Sequence, residues 1–600
     1  MELGLDSLVA VEVRSWFLKE LKVDIPVLKV VGGASLSDLC KQALDKLPAD
    51  VIPNVGASAD TAKVAKEPIS KPVSSPPVSS PPVSPPLADS NTASRTNSGP
   101  SSVTSGNDDN TTPPSSTQLS SRSTSYENLA EAVAPKKPAT PSSSLIKREP
   151  ISLGQSRFWF LRRLLEDQTT SNVAFYYKIT GNLRIGDMER AIRVVTARHE
   201  ALRTCFVEDE DRADRAFQNV MTSSPLRLER KDIQSVDDVE TEYAKLKEHT
   251  FDLEGGDLIR LVLLSLSPTS HYFLVNYHHI LMDGVSFQVF LSDLEKAYNG
   301  DSLGARPQQF PAFSAAQRAA LEAGDMKEEL SYWQKVFPVG QQPPVLPLLP
   351  MARITTRVPM ADFDVHQVRY RLEPALAARV KAMSKKQRST PFHFYLAAFK
   401  TMLFKFTDAK DLTIGIADAN RTSDAVMGSL GFFLNLLALR FGRQERQGFK
   451  DSIVEARNTT YGALAHSRLP FDVLLNEFNV ARSSSHSPFF QAFFDYRQGA
   501  QEKHPWGNTQ FEFQEIHPGR TSYDITLDIT DNATDGLIMF RAQKSLYDLT
   551  AVNLLLDTYV HLLDTLSADE SMRLQDTPLF GDKQLAEAVS IGRGNFPNIP

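Results

Sequence analysis

Apolar residues recur along this chain in three regimes. Near its start, Val9, Val13, Trp16, Phe17 and Leu21 return every three to four residues, the spacing of an amphipathic helix beginning at Asp6 or Ser7. An irregular stretch from Lys22 to Val31 contains Pro26. Ser35 then stands three residues before Asp38, an N-cap pattern that predicts a second helix through Leu47, stopped by Pro48. Between residues 49 and 147 the periodicity disappears. From Ile151 it returns, with helical spacing over Asp187 to His199 and Val285 to Tyr298, and strand-like runs at Leu258 to Leu266 and His271 to Tyr277. Further on, Thr390 N-caps a helix that opens on Pro391 and runs to Phe406, and Leu412 to Ile416 reads as a strand. Two strand-rich halves in mixed order predict an α/β or α+β pair of lobes.

Composition explains the middle regime. Of the 50 residues from Lys71 to Ser120, 30 are Pro, Ser or Thr, and no aromatic side chain occurs between Leu18 and Ser125. So polar a stretch lacks the apolar surface that would offset the entropy of ordering it, and we expect a disordered linker over 49–147. Its repeated Val-Ser-Ser-Pro-Pro favours extended polyproline conformations and a semi-stiff spacer. The expected organisation is therefore a helical segment at 1–48, the linker, a first lobe at 148–330, a second at 331–590, and the start of another linker at 591–600. Both ends fall where a longer protein is expected to continue.

Charge and cysteine content exclude several classes. A net charge of -7 on 600 residues offers no basic field for nucleic acid. Cys40 and Cys205 alone support neither a disulfide framework nor a zinc site. The N-terminus lacks the basic region of a signal peptide, and the longest apolar run, Gly431 to Leu439, ends at Arg440 far short of a bilayer span. A cytoplasmic chain with neither nucleic-acid nor membrane partners is expected.

The chemical centre is His278-His279-Ile280-Leu281-Met282-Asp283-Gly284. It follows the strand His271–Tyr277 and precedes the helix near Val285, a strand-to-helix turn where active-site groups are commonly presented. Adjacent histidines at a strand end point to opposite faces and do not readily chelate one metal. No other ligand spacing in the chain supports a metal site, so none is expected. A lone histidine here would be a core residue; two with Asp and Gly at this spacing favour chemistry. Cys205 lies in an apolar pattern and reads as core. Gly300-Asp301-Ser302-Leu303 reads as a post-helix turn because Gly304 and Pro307 follow.

Two resemblances follow from these residues. The run Gly4-Leu5-Asp6-Ser7-Leu8-Val9-Ala10-Val11-Glu12-Val13-Arg14-Ser15-Trp16-Phe17 resembles the acyl carrier domain of fungal reducing polyketide synthases, which implies 4′-phosphopantetheine on Ser7. A plain N-cap is the alternative. A carrier domain has a long helix before that serine, and only six residues precede Ser7 here, so a partial carrier is expected. The histidine segment resembles the His-His-x-x-x-Asp-Gly signature of nonribosomal peptide synthetase condensation domains. Ser152 to Leu161, Arg198 to Phe206, Ile414 to Arg421, Gly431 to Asn435, His466 to Asp472 and Arg482 to Arg497 are similar to its supporting motifs, in order.

The condensation resemblance implies two chloramphenicol-acetyltransferase-like lobes forming a V around a tunnel. It implies that His279 faces the tunnel, as a base or as a positioning hydrogen-bond partner, while His278 gives structural support. Asp283 is then a loop-fixing residue paired with Arg203, with Arg198 as runner-up. Gly284 either keeps the tunnel clear or supplies an unusual backbone angle. Ser286 and Asn435 are tunnel-lining candidates, at even odds with structural roles. The whole resembles a segment of a fungal hybrid polyketide–nonribosomal peptide synthetase that joins a carrier-bound polyketide thioester to an aminoacyl amine. Upstream polyketide synthase domains, downstream adenylation and peptidyl carrier domains, and a phosphopantetheinyl transferase are the implied partners. Acyl release to an alcohol or another nucleophile, or a non-catalytic carrier-docking role, are the competing readings.

Overall fold

A computed structural model describes residues 144–585, apart from 210–214, 361, 422, 445, 499–502 and 583, together with 23, 40, 41, 43, 44 and 46. Ser7 and the stretch 49–143 lie outside the described residues. Of the helix expected up to Leu47, Cys40, Lys41, Ala43 and Leu44 are described and helical.

Two six-stranded sheets dominate. The first runs in the order Lys503–Trp506, Thr509–His517, Asn172–Gly181, Ser270–His278, Ile259–Ser267 and Leu228–Asp232. Its central strands alternate. Val173, Phe175, Leu263, Phe273 and Val275 enter one apolar cluster, while Ala174, Tyr176, Leu264, Tyr272 and Leu274 enter another against helix Asp237–Lys247. Both faces of its central strands are thus packed on apolar clusters. The hairpin Lys503–His517, from the later half of the chain, completes this sheet by pairing with Asn172–Gly181. Its alternation reads as a strand of any sheet; which sheet it joins depends on long-range pairing.

The second sheet has the order Asn435–Gly442, Asp411–Asp418, Ala492–Gln498, Ile525–Asp531, Gly536–Gln543 and Val365–Leu372. Its largest core packs one face against helices Pro391–Phe406 and Leu549–Ala568. A third, three-stranded sheet joins Leu145–Pro150, Ala216–Met221 and Thr204–Glu208.

Local signals placed most elements well. Thr390 caps helix Pro391–Phe406 in a reciprocal pair with His393, and the proline occupies the first turn, where its missing N–H has no consequence. Helix Gly284–Asn299 starts on Asp283, whose carboxylate accepts from the Ser286 N–H at 2.7 Å, and ends at Gly300 in the left-handed region (φ 84°). The turn expected at Gly300–Leu303 follows from that cap. Among the described residues, no helix is long and apolar enough to cross a membrane.

Candidate active site

Strand Ser270–His278 delivers the two histidines to the turn before helix Gly284–Asn299. Their environments diverge at once. His278 is buried; its Nδ1 accepts from the Ile280 N–H at 3.1 Å, and its ring meets Phe158 and Phe251 edge-on. Burial, helped by neighbouring His279 and Arg162, lowers its pKa to about 3. It is neutral at any ordinary pH.

His279 is only partly buried. Its Nδ1 lies 3.0 Å from the Met282 carbonyl oxygen, an acceptor only, so Nδ1 carries the proton and Nε2 presents a lone pair. Three aromatic rings enclose the imidazole. Phe158 stacks on it at 5.4 Å, Phe432 meets it edge-on at 5.4 Å, and Tyr277 does so at 6.2 Å. Burial lowers the His279 pKa, opposed by the Met282 carbonyl, Asp283 and Asp495.

The turn is held by hydrogen bonds. Gln155, from helix Leu153–Leu164, donates to the Ile280 carbonyl at 3.1 Å. Asp283, 1% exposed, uses one carboxylate oxygen to cap its helix and the other to accept from the Phe433 and Leu434 N–H groups at 2.8 and 3.2 Å. Its own N–H donates to Gly431 at 3.3 Å. Asp283 therefore fastens the histidine turn to the loop 431–434, which carries Phe432 onto His279. Gly154 permits that contact, because a Cβ there would come within 2.9 Å of the Phe432 ring.

The cationic partner of Asp283 differs from expectation. Arg421 stands 3.7 Å away, buried over the Phe433 ring and bonded to the Ser429 carbonyl and the Ser286 hydroxyl. Arg203 instead donates to the Met221 carbonyl at 2.6 Å and faces Glu200. Arg198 pairs with Asp293 at 3.0 Å, beside His199 on the same carboxylate. The 3₁₀ turn Glu200–Arg203 aims the Arg203 side chain at its own three-stranded sheet. Arg421 ends the motif Ile414 to Arg421, but the resemblance points to the second motif and so to Arg203.

The surroundings of the other expected residues follow from their hydrogen bonds and backbone. Ser286 is fully buried; its hydroxyl donates to the Gly431 carbonyl and accepts from Arg421 and the Gly431 N–H. Asn435 donates to the Ser467 and Leu469 carbonyls and accepts from the Leu436 and Phe471 N–H groups. Within these bonds neither keeps a free polar atom, although Asn435 also lines a small cavity with Phe432, Leu434 and Pro470. Gly284 has no left-handed backbone angle, and a Cβ there would meet open space. Among the described residues, no group of three or more His, Cys, Asp or Glu side chains is arranged to hold a metal ion. Phe158, Phe432 and Gln155 sit inside motifs that the sequence exposes, yet nothing in their spacing marks them as neighbours of His279.

A histidine with an open Nε2 thus stands on a strand-to-helix turn at the rim of the first sheet, fastened to the loop 431–434. The chain belongs to the condensation-domain family, whose profile matches residues 147–587. A second profile, the phosphopantetheine attachment site, matches residues 1–42. Two relatives are hybrid PKS-NRPS synthetases. The thnA protein of Trichoderma harzianum is 55% identical over 611 residues, and traA of Penicillium crustosum is 53% identical over 616. They cover 99% and 100% of this chain, which spans 15% of each relative's length. Among solved structures, the condensation domain of the Monacolin K polyketide synthase MokA is 30% identical, with a TM-score of 0.68, covering 72% of this chain and all of that one. The X-domain from teicoplanin biosynthesis, 22% identical with a TM-score of 0.64 over 74% of this chain and all of that one, shares the fold.

Proposed function

We propose that this condensation domain moves an acyl group from a carrier-bound polyketide thioester to the amine of an aminoacyl thioester, forming an amide. The amine nitrogen attacks the thioester carbonyl, a C–N bond forms, the C–S bond breaks and a thiol leaves. The observation that carries the reading is the Nδ1–H of His279 spent on the Met282 carbonyl. That bond leaves Nε2 to accept the proton the nitrogen must lose, and the proton then goes to the departing thiolate. Burial keeps the imidazole neutral and ready to accept near pH 7. Holding two tethered reactants in line supplies a further part of the acceleration.

Ser7 is the proposed attachment point of 4′-phosphopantetheine, which supplies the thiol that carries the acyl chain. Upstream polyketide synthase domains would load it, and downstream adenylation and peptidyl carrier domains would bring the amine. Transfer to an alcohol is the second reading; it draws on the likeness to a condensation domain described as part of a polyketide synthase.

The test uses the full chain treated with a phosphopantetheinyl transferase. Intact mass should rise on Ser7, and acyl thioester donors should give amides with a panel of aminoacyl thioesters. Product only with alcohols would replace the amide reading, and unchanged output from His279→Ala would replace catalysis with docking.

A further inference from the structure

One ring beside His279 also borders a cavity. Phe432 meets the imidazole edge-on at 5.4 Å and the Phe158 ring at 4.9 Å. Together with Gly154 and Asn435 it lines a small cavity with room for about one water molecule (about 10 Å³), which His279 itself does not line. The Phe432 ring therefore touches the imidazole and the cavity at once. Polar groups border that cavity too, among them Gln317 and Asn420. Asn420 donates through Nδ2 to the Phe433 carbonyl at 3.1 Å, and Gln317 accepts from the Leu153 N–H at 3.4 Å. Asn420 Oδ1, an acceptor, and Gln317 Nε2, a donor, form no hydrogen bond among the described residues. A polar space of this size suits a water molecule, whereas an apolar one stays dry.

The ring is held in that place from both sides. The Phe433 and Leu434 N–H groups donate to Asp283 at 2.8 and 3.2 Å, and the Gly431 N–H donates to the Ser286 hydroxyl at 3.1 Å. The backbone before and after Phe432 is thus tied to the start of the helix that follows the histidine turn. Gly154 supplies the seat, since a Cβ there would stand 2.9 Å from the ring. This fixed position bears on selectivity. A neutral imidazole accepts a proton from whichever nucleophile stands beside it, and water serves as well as an amine. The base does not choose between them, so the choice falls to what can approach Nε2.

We propose that Phe432 is a specificity-determining residue that sets aminolysis against hydrolysis: its ring parts the water-sized cavity from His279, so that the tethered amine is the nucleophile within reach of Nε2. The inference rests on the acyl-transfer reading above. Without the ring, water held at Asn420 and Gln317 reaches the imidazole. Its oxygen attacks the thioester carbonyl, a C–O bond forms and the C–S bond breaks. One water proton passes through Nε2 to the departing thiolate, and the other stays on the carboxylic acid. Closing a site against water suppresses a side reaction of this kind.

The test gives the full chain an acyl N-acetylcysteamine thioester, with and without an aminoacyl thioester acceptor, and measures carboxylic acid and amide by mass spectrometry. Phe432→Ala should raise the acid-to-amide ratio about tenfold or more over wild type, the scale on which apolar groups in a pocket change selection. Adding His279→Ala to that variant should remove the extra acid. Gly154→Ala keeps the ring but displaces it; it should raise the ratio less, and it serves if Phe432→Ala does not fold. An unchanged ratio in a folded variant of either kind makes Phe432 a packing residue and overturns the inference, as does extra acid that survives without His279. A wild type that forms no amide overturns the amide reading instead; hydrolysis of the donor alone, wild type against Phe432→Ala, then still decides on Phe432.

Discussion

The two six-stranded sheets share one scale and differ in what they do with their second face. In the first, the central strands bury apolar side chains on both faces, Phe273 and Val275 on one side and Tyr272 and Leu274 on the other, while charged pairs such as Arg260–Glu229 lie toward its edge. Function appears only at the strand's end, where His279 leaves the ladder. In the second sheet one face packs on helices, while the other carries Asp495, Arg497, Asp528 and Arg541. A sheet packed on both faces can hold one side chain rigidly at its rim, since packing fixes the backbone that leads to it. A sheet with a charged face offers a surface for recognition, at a desolvation cost offset only by mutual pairing. The difference sets the histidine at the rim of the first sheet apart from the paired charges on the face of the second.

The sharpest break of this comparison is His279→Ala. Removing the group at the rim should lower acyl transfer by about 100-fold or more, with a thermal melt close to wild type because the ring is partly exposed. Single-turnover kinetics and calorimetry on the same samples check both parts.

Next in size is Asp283→Ala, which should act through stability. It leaves the Arg421 guanidinium buried without its carboxylate and the Phe433 and Leu434 N–H groups without an acceptor. A loss of about 3–5 kcal/mol in urea unfolding is expected. Arg203→Ala should cost only about 1 kcal/mol, the worth of its bond to Met221. Equal losses would restore the Asp283–Arg203 pairing that the structure replaces.

The last effect is spread over pH and concerns His278. Its folded pKa, about 3, lies below the ordinary 6.5, so the unfolded chain binds the extra proton first as pH falls. The stability due to neutral burial is therefore complete above pH 6.5 and declines from there toward pH 3, at about 1.4 kcal/mol per unit. Replacing His278 by Asn should flatten that part of the stability–pH curve, while a curve of unchanged slope would remove His278 as its cause.

Much of the frame was legible in the chain. Thr390-Pro391 marked a helix start through local hydrogen bonding alone, and the histidine turn stood between a strand run and a helix run. What escaped depended on distance in sequence. Asp283 finds Arg421 and the Phe433 N–H more than a hundred residues away, and the hairpin Lys503–His517 joins a sheet begun at Asn172. Ser286 and Asn435 have the chemistry of lining residues, but their hydrogen-bond capacity is spent within the fold.

The account turns on a neutral His279 whose Nε2 accepts a proton during transfer. The most direct measurement is the pH dependence of kcat/KM for acyl transfer by the full chain, with wild type and His279→Ala compared. A single protonation with a midpoint below the ordinary imidazole value of 6.5 is expected, flat through neutrality and absent from the variant. An acid limb above 6.5, or one that survives in His279→Ala, would contradict it.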